Sequence, residues 1–288
     1  MEYFVLVIAL FVAVSKSLCS KAGGKNLSGL SNLFNLNILI GALALIVYSL
    51  FGISFDEMSD PVYILFGILY AIFAAGSAMF HIMAMRYAPV ALCSLVFCAG
   101  FIITTVYCAI FFNEPISLIK GIGMLILIAS IIAVVYRKQE KGATNYKFLF
   151  FSIPAMLCSG FLGITQKEFA MRFGNDGVNS YLFLSFGMIL LIFFIARLCY
   201  KPGEIKKIAT LPFFIPGIIY SAIFVTTNKL NLYLATVIDG VILFPFLNGG
   251  AIALTAILSY IFFKEKLNLR QWIGTAFCIL SIITVALG

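Results

Sequence analysis

The chain has 288 residues, of which 63% are hydrophobic and 10% charged, and its 19 Lys and Arg outnumber its 11 Asp and Glu for a net charge of +8. Mean hydropathy is +1.12, whereas a water-soluble domain carries about 25% charged residues, so a polar globular surface is excluded and an all-α membrane protein is expected. Catalytic signatures (P-loop, HExxH, GxSxG, GxGxxG) are absent from the sequence, and the seven cysteines stand singly inside apolar runs; no enzyme, metal or cofactor is expected.

Ten segments are long enough to cross a bilayer, at 3–22, 35–52, 61–86, 89–112, 115–136, 147–172, 178–200, 211–230, 234–263 and 268–287. The start Met1-Glu2-Tyr3-Phe4 lacks a basic n-region and no small-residue cleavage site follows, so the first segment is expected to remain as a signal anchor. It carries Lys16 well inside the apolar run. The third segment aligns Gly67, Ala71, Ala74, Ala78 and His81 on one face. Asn113-Glu114-Pro115 separates the fourth from the fifth, and Glu114 is expected to meet the positive N-terminus of the helix it opens, with Pro115 in its first turn. The polar stretch 137–142 links the halves. Segment six repeats Ser152, Ser159, Gly163 and Gln166 at helical spacing beside Lys167, while Glu168 and Arg172 form an i,i+4 surface pair. Asn228 lies in segment eight. Segment nine carries Asp239, Asn248, Thr255 and Ser259, and Pro245 with Gly249-Gly250 predicts an interrupted helix, which a membrane tolerates only beside protein or a water-filled cavity.

The chain matches itself when slid by about 151 residues. Ile110-Phe111-Phe112 falls on Ile261-Phe262-Phe263, Glu114 on Glu265, Lys16 on Lys167 and Ser130-Ile131-Ile132 on Ser281-Ile282-Ile283. Between 84 and 135, roughly fifteen of about fifty pairs are identical, against about five from composition, which marks a repeat. Five segments per half is odd, so the second half enters the membrane from the opposite side. The prediction is ten transmembrane helices as two inverted five-helix repeats, 1–137 and 148–288, joined by a linker at 138–147. Such repeats point to alternating access around a midplane site.

About fourteen Lys and Arg lie near the loops after segments one, three, five, seven and nine, and about three lie on the other face, so both termini are predicted extracytoplasmic. The basic balance reflects topology and anionic membrane lipid as a partner rather than nucleic acid.

Phe244-Pro245-Phe246-Leu247-Asn248-Gly249-Gly250, followed by Phe262-Phe263-Lys264-Glu265-Lys266-Leu267, resembles the last repeat of EamA-type members of the drug/metabolite transporter superfamily. The stretch from Arg86-Tyr87-Ala88-Pro89 to Phe112-Asn113-Glu114-Pro115 is similar to the first repeat. The resemblance implies a secondary transporter of a small metabolite or drug-like compound in a plasma membrane, bacterial in type. Its partners would be a small-molecule substrate and a coupling proton or cation, and one duplicated chain suffices without excluding an oligomer. A lipid flippase on the same fold is the alternative.

Six residues are the candidate substrate contacts: Lys16, His81, Gln166, Lys167, Asn228 and Asn248. A basic residue at membrane centre is unfavourable by about 2.5–3.5 kcal/mol, although snorkelling along the four-carbon stem removes much of this. Lys16 and Lys167 occupy matched points of the two repeats, one on each side of the midplane. They are therefore expected to line the cavity, holding an anionic group or gating each mouth. Asn248 lies beside the interruption predicted in segment nine, Asn228 aligns with Ser77, Gln166 stands on the small-residue stripe of segment six, and a lone intramembrane imidazole at His81 can carry protons.

Overall fold

An apolar segment can leave water only with its backbone hydrogen bonds closed internally, which a helix does. A computed structural model of the chain describes residues 2–23, 29–54, 56–87, 93, 96–135, 147–175, 177–264 and 269–287. Among them run α1 (Glu2–Gly23), α2 (Leu30–Leu50), α3 (Pro61–Ala84), α4 (Gly100–Phe111), α5 (Leu118–Val135), α6 (Lys147–Phe173), α7 (Val178–Cys199), α8 (Leu211–Val237), α9 (Gly240–Phe263) and α10 (Leu269–Leu287). Short 3-10 segments at Glu57–Ser59 and Pro202–Ala209 precede α3 and α8. Seven helices are long and apolar enough to cross a membrane, and α4, α5 and α10 contain shorter apolar runs. The linker expected at 138–147 lies outside the described residues except for Lys147, which opens α6, and Glu265 also lies outside them.

Two of the boundaries that differ from expectation do so for the same reason. Helix α2 starts at Leu30 rather than 35, because its early polar groups are satisfied by partners: Asn35 Nδ2 donates to the Glu204 carbonyl at 3.1 Å and Asn37 Nδ2 to the Leu33 carbonyl at 2.9 Å. Helix α8 runs on to Val237, through the polar stretch Asn228–Asn231 that resembles a turn, because Asn228 Nδ2 bonds the Phe224 carbonyl within the helix at 2.8 Å. Helix α9 is continuous from Gly240 to Phe263, contrary to the predicted interruption. Its glycines serve close packing instead. A Cβ at Gly249 would stand 2.5 Å from a Leu127 methyl of α5, and one at Gly250 would stand 2.9 Å from Leu10 of α1.

The packing pairs follow the repeat period. Helix α3 packs on α6 as α8 packs on α1; α4 packs on α6 as α9 packs on α1; α3 packs on α7 as α8 packs on α2. Helices α2 and α7, α4 and α9, and α5 and α10 each pack against their own counterpart. The backbone repeats too: Asn113 and Lys264, one period apart, both adopt the left-handed conformation, with φ of 53° and 52°.

Contacts sort the helix ends onto two faces. On one, the Ser54 amide donates to Ser180 Oγ, Tyr63 Oη to the Gly177 carbonyl and Thr236 Oγ1 to Asn175 Oδ1, tying the ends of α2, α6 and α8 to the starts of α3 and α7. On the other, Tyr87 stacks on Phe151 and Arg197 reaches Ser31, joining the ends of α3 and α7 to the starts of α6 and α2. The exterior between them is apolar, with Phe4, Leu50, Phe150, Leu211 and Phe262 among its exposed side chains. Burying this surface in hydrocarbon rather than water is the favourable arrangement.

Candidate functional site

Buried polar groups require partners, and one buried hydrogen-bonded set in the bundle interior joins α3, α6 and α8. Tyr70 Oη donates to Asn228 Oδ1 at 2.5 Å, and the Gln166 side chain bonds the same tyrosine. Tyr70, Gln166 and Asn228 are all buried. Tyr48 of α2 donates to the Val225 carbonyl at 2.9 Å, three residues from Asn228, and the Tyr181 ring packs 5.7 Å from that of Tyr70. Two expected contacts, Gln166 and Asn228, thus meet at one tyrosine. Tyr70 itself escaped sequence reasoning. The available signal was an amphipathic ring on the small-residue face of the third segment, hidden among 13 tyrosines.

Lys16, in the C-terminal half of α1, approaches this cluster. Its ammonium lies 5.1 Å from the centroid of Phe224, whose carbonyl receives Asn228 Nδ2, and Cys98 also faces it. A cation over an aromatic face is attracted by the ring quadrupole, more strongly when water is excluded. Asn248 stands apart on α9, its Nδ2 bonded to the Phe244 carbonyl at 2.9 Å. His81 is eleven residues from Tyr70 along α3, about 16 Å at helical rise. Its ring lies 4.5 Å from Phe97, and its Nδ1 is buried without a hydrogen-bond partner.

Lys167 belongs to a second constellation. Its ammonium makes an ion pair with Glu114 Oε1 at 3.1 Å and donates to the Ile238 carbonyl at 2.9 Å, with both charged side chains buried. Glu114 Oε2 accepts the Val241 amide at 2.9 Å. The carboxylate therefore caps α9, not the helix it precedes in sequence; a charge there meets unpaired N–H groups and the positive end of the helix dipole. Asp239, at the N-cap position of α9, makes no side-chain cap. A cavity of 200 Å³ borders this pair, lined by Phe112, Met171, Thr236 and Asp239 among others. Nearby, Glu168 and Arg172 form their expected pair at 3.0 Å, and Tyr107 Oη donates to Glu168.

At the other face, Glu204 of the Pro202–Ala209 segment gathers charge that sequence reasoning missed. Its carboxylate accepts from Ser31, pairs with Lys207 at 3.2 Å and lies 3.6 Å from the fully buried Arg197. The Ser31 hydroxyl first, and Lys207 next, hold its carboxyl down to about 2. This cluster fastens α2 to α7. A further crevice of 240 Å³ between α4 and α5 is wholly apolar in its lining, from Val96 to Ile132.

Residues 147–287 match the model of the EamA-like transporter family. A crystal structure of a protein is similar over 99% of this chain and 97% of its own, with a TM-score of 0.75 at 14% identity, a likeness of fold alone. It extends over the first half, which the family match does not reach. No curated protein matches the sequence.

Proposed function

The chain belongs to the EamA-like transporter family, and from that premise we propose that it is a secondary transporter carrying a small metabolite or drug-like solute by alternating access between two inverted repeats, 1–137 and 148–288. The observation that carries the reading is the buried hydrogen-bonded cluster of Tyr70, Gln166 and Asn228 deep in an apolar bundle. Polar groups are unfavourable there unless they bond one another or a passing solute. Lys16 adds a positive charge one turn of α8 away, suited to an anionic group of the solute. Asn248 and His81 are proposed contacts outside this centre, used as the solute moves along the path.

The exchange of packing pairs under the repeat period supports the inverted arrangement. The clustering of Lys201, Lys206 and Lys207 with Arg197 at one face supports a cytoplasmic assignment for it, with both termini on the other side. One chain supplies both halves of the pathway, so a monomer suffices. Anionic lipid at the lysine-rich face and a coupling proton or cation are the remaining proposed partners. The crevice between α4 and α5 could hold an acyl chain, which is what a flippase would need, but its lining offers a head group nothing polar to follow.

The test is uptake of a radiolabelled metabolite pool into proteoliposomes, beside a lipid-scrambling assay on the same vesicles. Solute accumulation that is lost in Asn228→Leu, without scrambling, supports the carrier. Scrambling without uptake sinks it in favour of the flippase.

A further inference from the structure

We propose that the crevice between α4 and α5 is a binding site for one acyl chain of a membrane lipid, held as a resident part of the protein rather than carried by it. Such a chain is bound whether or not the transport reading above holds.

The repeat marks this gap as a departure. In the second half, α9 packs directly on α10 and also reaches α5. One period earlier, α4 makes next to no direct contact with α5 or α10 among the described residues. Single residues show the same contrast. A Cβ at Gly250 would stand 3.7 Å from Ile282, and Cys278 Sγ donates to the Gly249 carbonyl at 3.4 Å, so α9 and α10 touch. Shifted by the period, Gly250 and Ile282 become Ala99 and Ile131, which face the crevice from its two walls. Leu127, the counterpart of Cys278, is turned onto Gly249 of α9 instead.

What fills a 240 Å³ space follows from its chemistry. Val96, Ala99 and Ile102 form one wall and Ile128, Ile131 and Ile132 the other, all apolar. A buried water needs polar partners, which these walls do not offer. Left empty, the walls forfeit their dispersion contacts. A helix with its side chains is about 10 Å across, so about 3 Å of its length would already fill the space. The surrounding medium supplies a thinner occupant. Val106 and Ile110 on α4 and Leu125 and Ile132 on α5 are exposed, so the crevice is continuous with the apolar exterior that hydrocarbon covers. A lipid chain entering it gains packing rather than hydrophobic burial, since the bilayer is equally apolar. Its position also bears on the interior. Val96 and Ala99 line the crevice while Cys98 of the same turn faces Lys16, so the chain backs the turn that stands against this lysine.

The test uses the full chain reconstituted with phosphatidylcholine that carries a diazirine midway along one acyl chain. The sample is washed into detergent before photolysis, and labelled positions are read by mass spectrometry. Label should survive the wash at 96–102 and 128–132, and be lost at Ile46, Ile72 and Leu191, which are exposed in the middle of their helices. Phosphatidylglycerol with the same chain should give the same pattern, because nothing polar in the crevice reads a head group. Ala99→Phe and Ile128→Phe each fill the space from one wall; both should lose the retained label and keep their melting temperatures. Equal loss at all positions in the parent overturns the proposal, as does labelling that follows the head group or label retained in both filled variants. A dimer seen by native mass spectrometry with an unlabelled crevice overturns it in favour of a second copy. If neither filled variant folds, the parent's wash pattern decides. Scrambling of the probe lipid that Ala99→Phe abolishes makes the chain cargo and sinks residence. Absence of uptake in the parent removes the carrier reading alone and leaves the site standing.

Discussion

Lys16 and Lys167 stand 151 residues apart, at matched positions of the sequence self-match, and their surroundings share almost nothing. Lys167 is sealed in an ion pair with Glu114 and bonds a main-chain carbonyl, whereas Lys16 is half-buried over an aromatic ring, a turn of helix from the Tyr70–Asn228 bond. Sequence period sets which residues are equivalent, but the environment is set by what packs around each: Glu114 and the Ile238 carbonyl for Lys167, the Phe224 ring for Lys16. The two lysines should respond unequally to the same substitution.

The largest expected contrast is in stability. Lys167→Met leaves Glu114 buried without its counter-charge, and breaking a buried pair on one side destabilises by about 3–5 kcal/mol. Lys16→Met removes a cation–π contact of about 0.5–2 kcal/mol and adds apolar volume near Phe224, so its melting temperature in detergent should stay close to that of the parent. Equal losses in the two variants would erase the comparison. A smaller effect sits at the centre. Asn228→Leu strands the Tyr70 hydroxyl, with an expected loss of about 1–3 kcal/mol and of uptake, and Tyr70→Phe should recover stability in that background.

The opposite face gives a pH-dependent control. Glu204 is held at about 2, below its ordinary value near 4.3, so its contribution is full above that value and fades as pH falls toward about 2. Melting temperatures of the parent and Glu204→Gln should therefore differ at neutral pH and converge below about pH 4. A gap that persists in acid would mean that the carboxylate charge does not hold this face. Smallest of all, Arg172→Ala removes an exposed partner of Glu168 and should change stability by at most about 0.5 kcal/mol.

How much of this was legible in the sequence follows from which interactions are local. Apolar length and the self-match foretold helices at all ten expected segments, because hydrocarbon admits little else. Gln166 and Asn228 stood out because amides are rare in such segments. Their shared partner Tyr70 did not, since the bond joins residues 158 apart and depends on how α3 crosses α8. Asn113-Glu114-Pro115 reads as a cap of the helix it opens, and spacing cannot reveal that the amide Glu114 accepts is Val241 of α9, 127 residues later. The interruption expected in α9 failed for a related reason. Gly249 and Gly250 look like breaks in one dimension and are contact surfaces for Leu127 and Leu10 in three.

The paired left-handed residues Asn113 and Lys264 offer an engineering handle. Each places a side chain where glycine is the unstrained choice, at about 1–2 kcal/mol per residue, and each ends a counterpart helix, α4 or α9. Asn113→Gly and Lys264→Gly would thus relax the end of one helix at a time, the first with no change of charge and the second with the loss of one exposed lysine. Used singly, they allow the ends of α4 and α9 to be stabilised independently, so that one can be set against the other on purpose for trapping and structure determination.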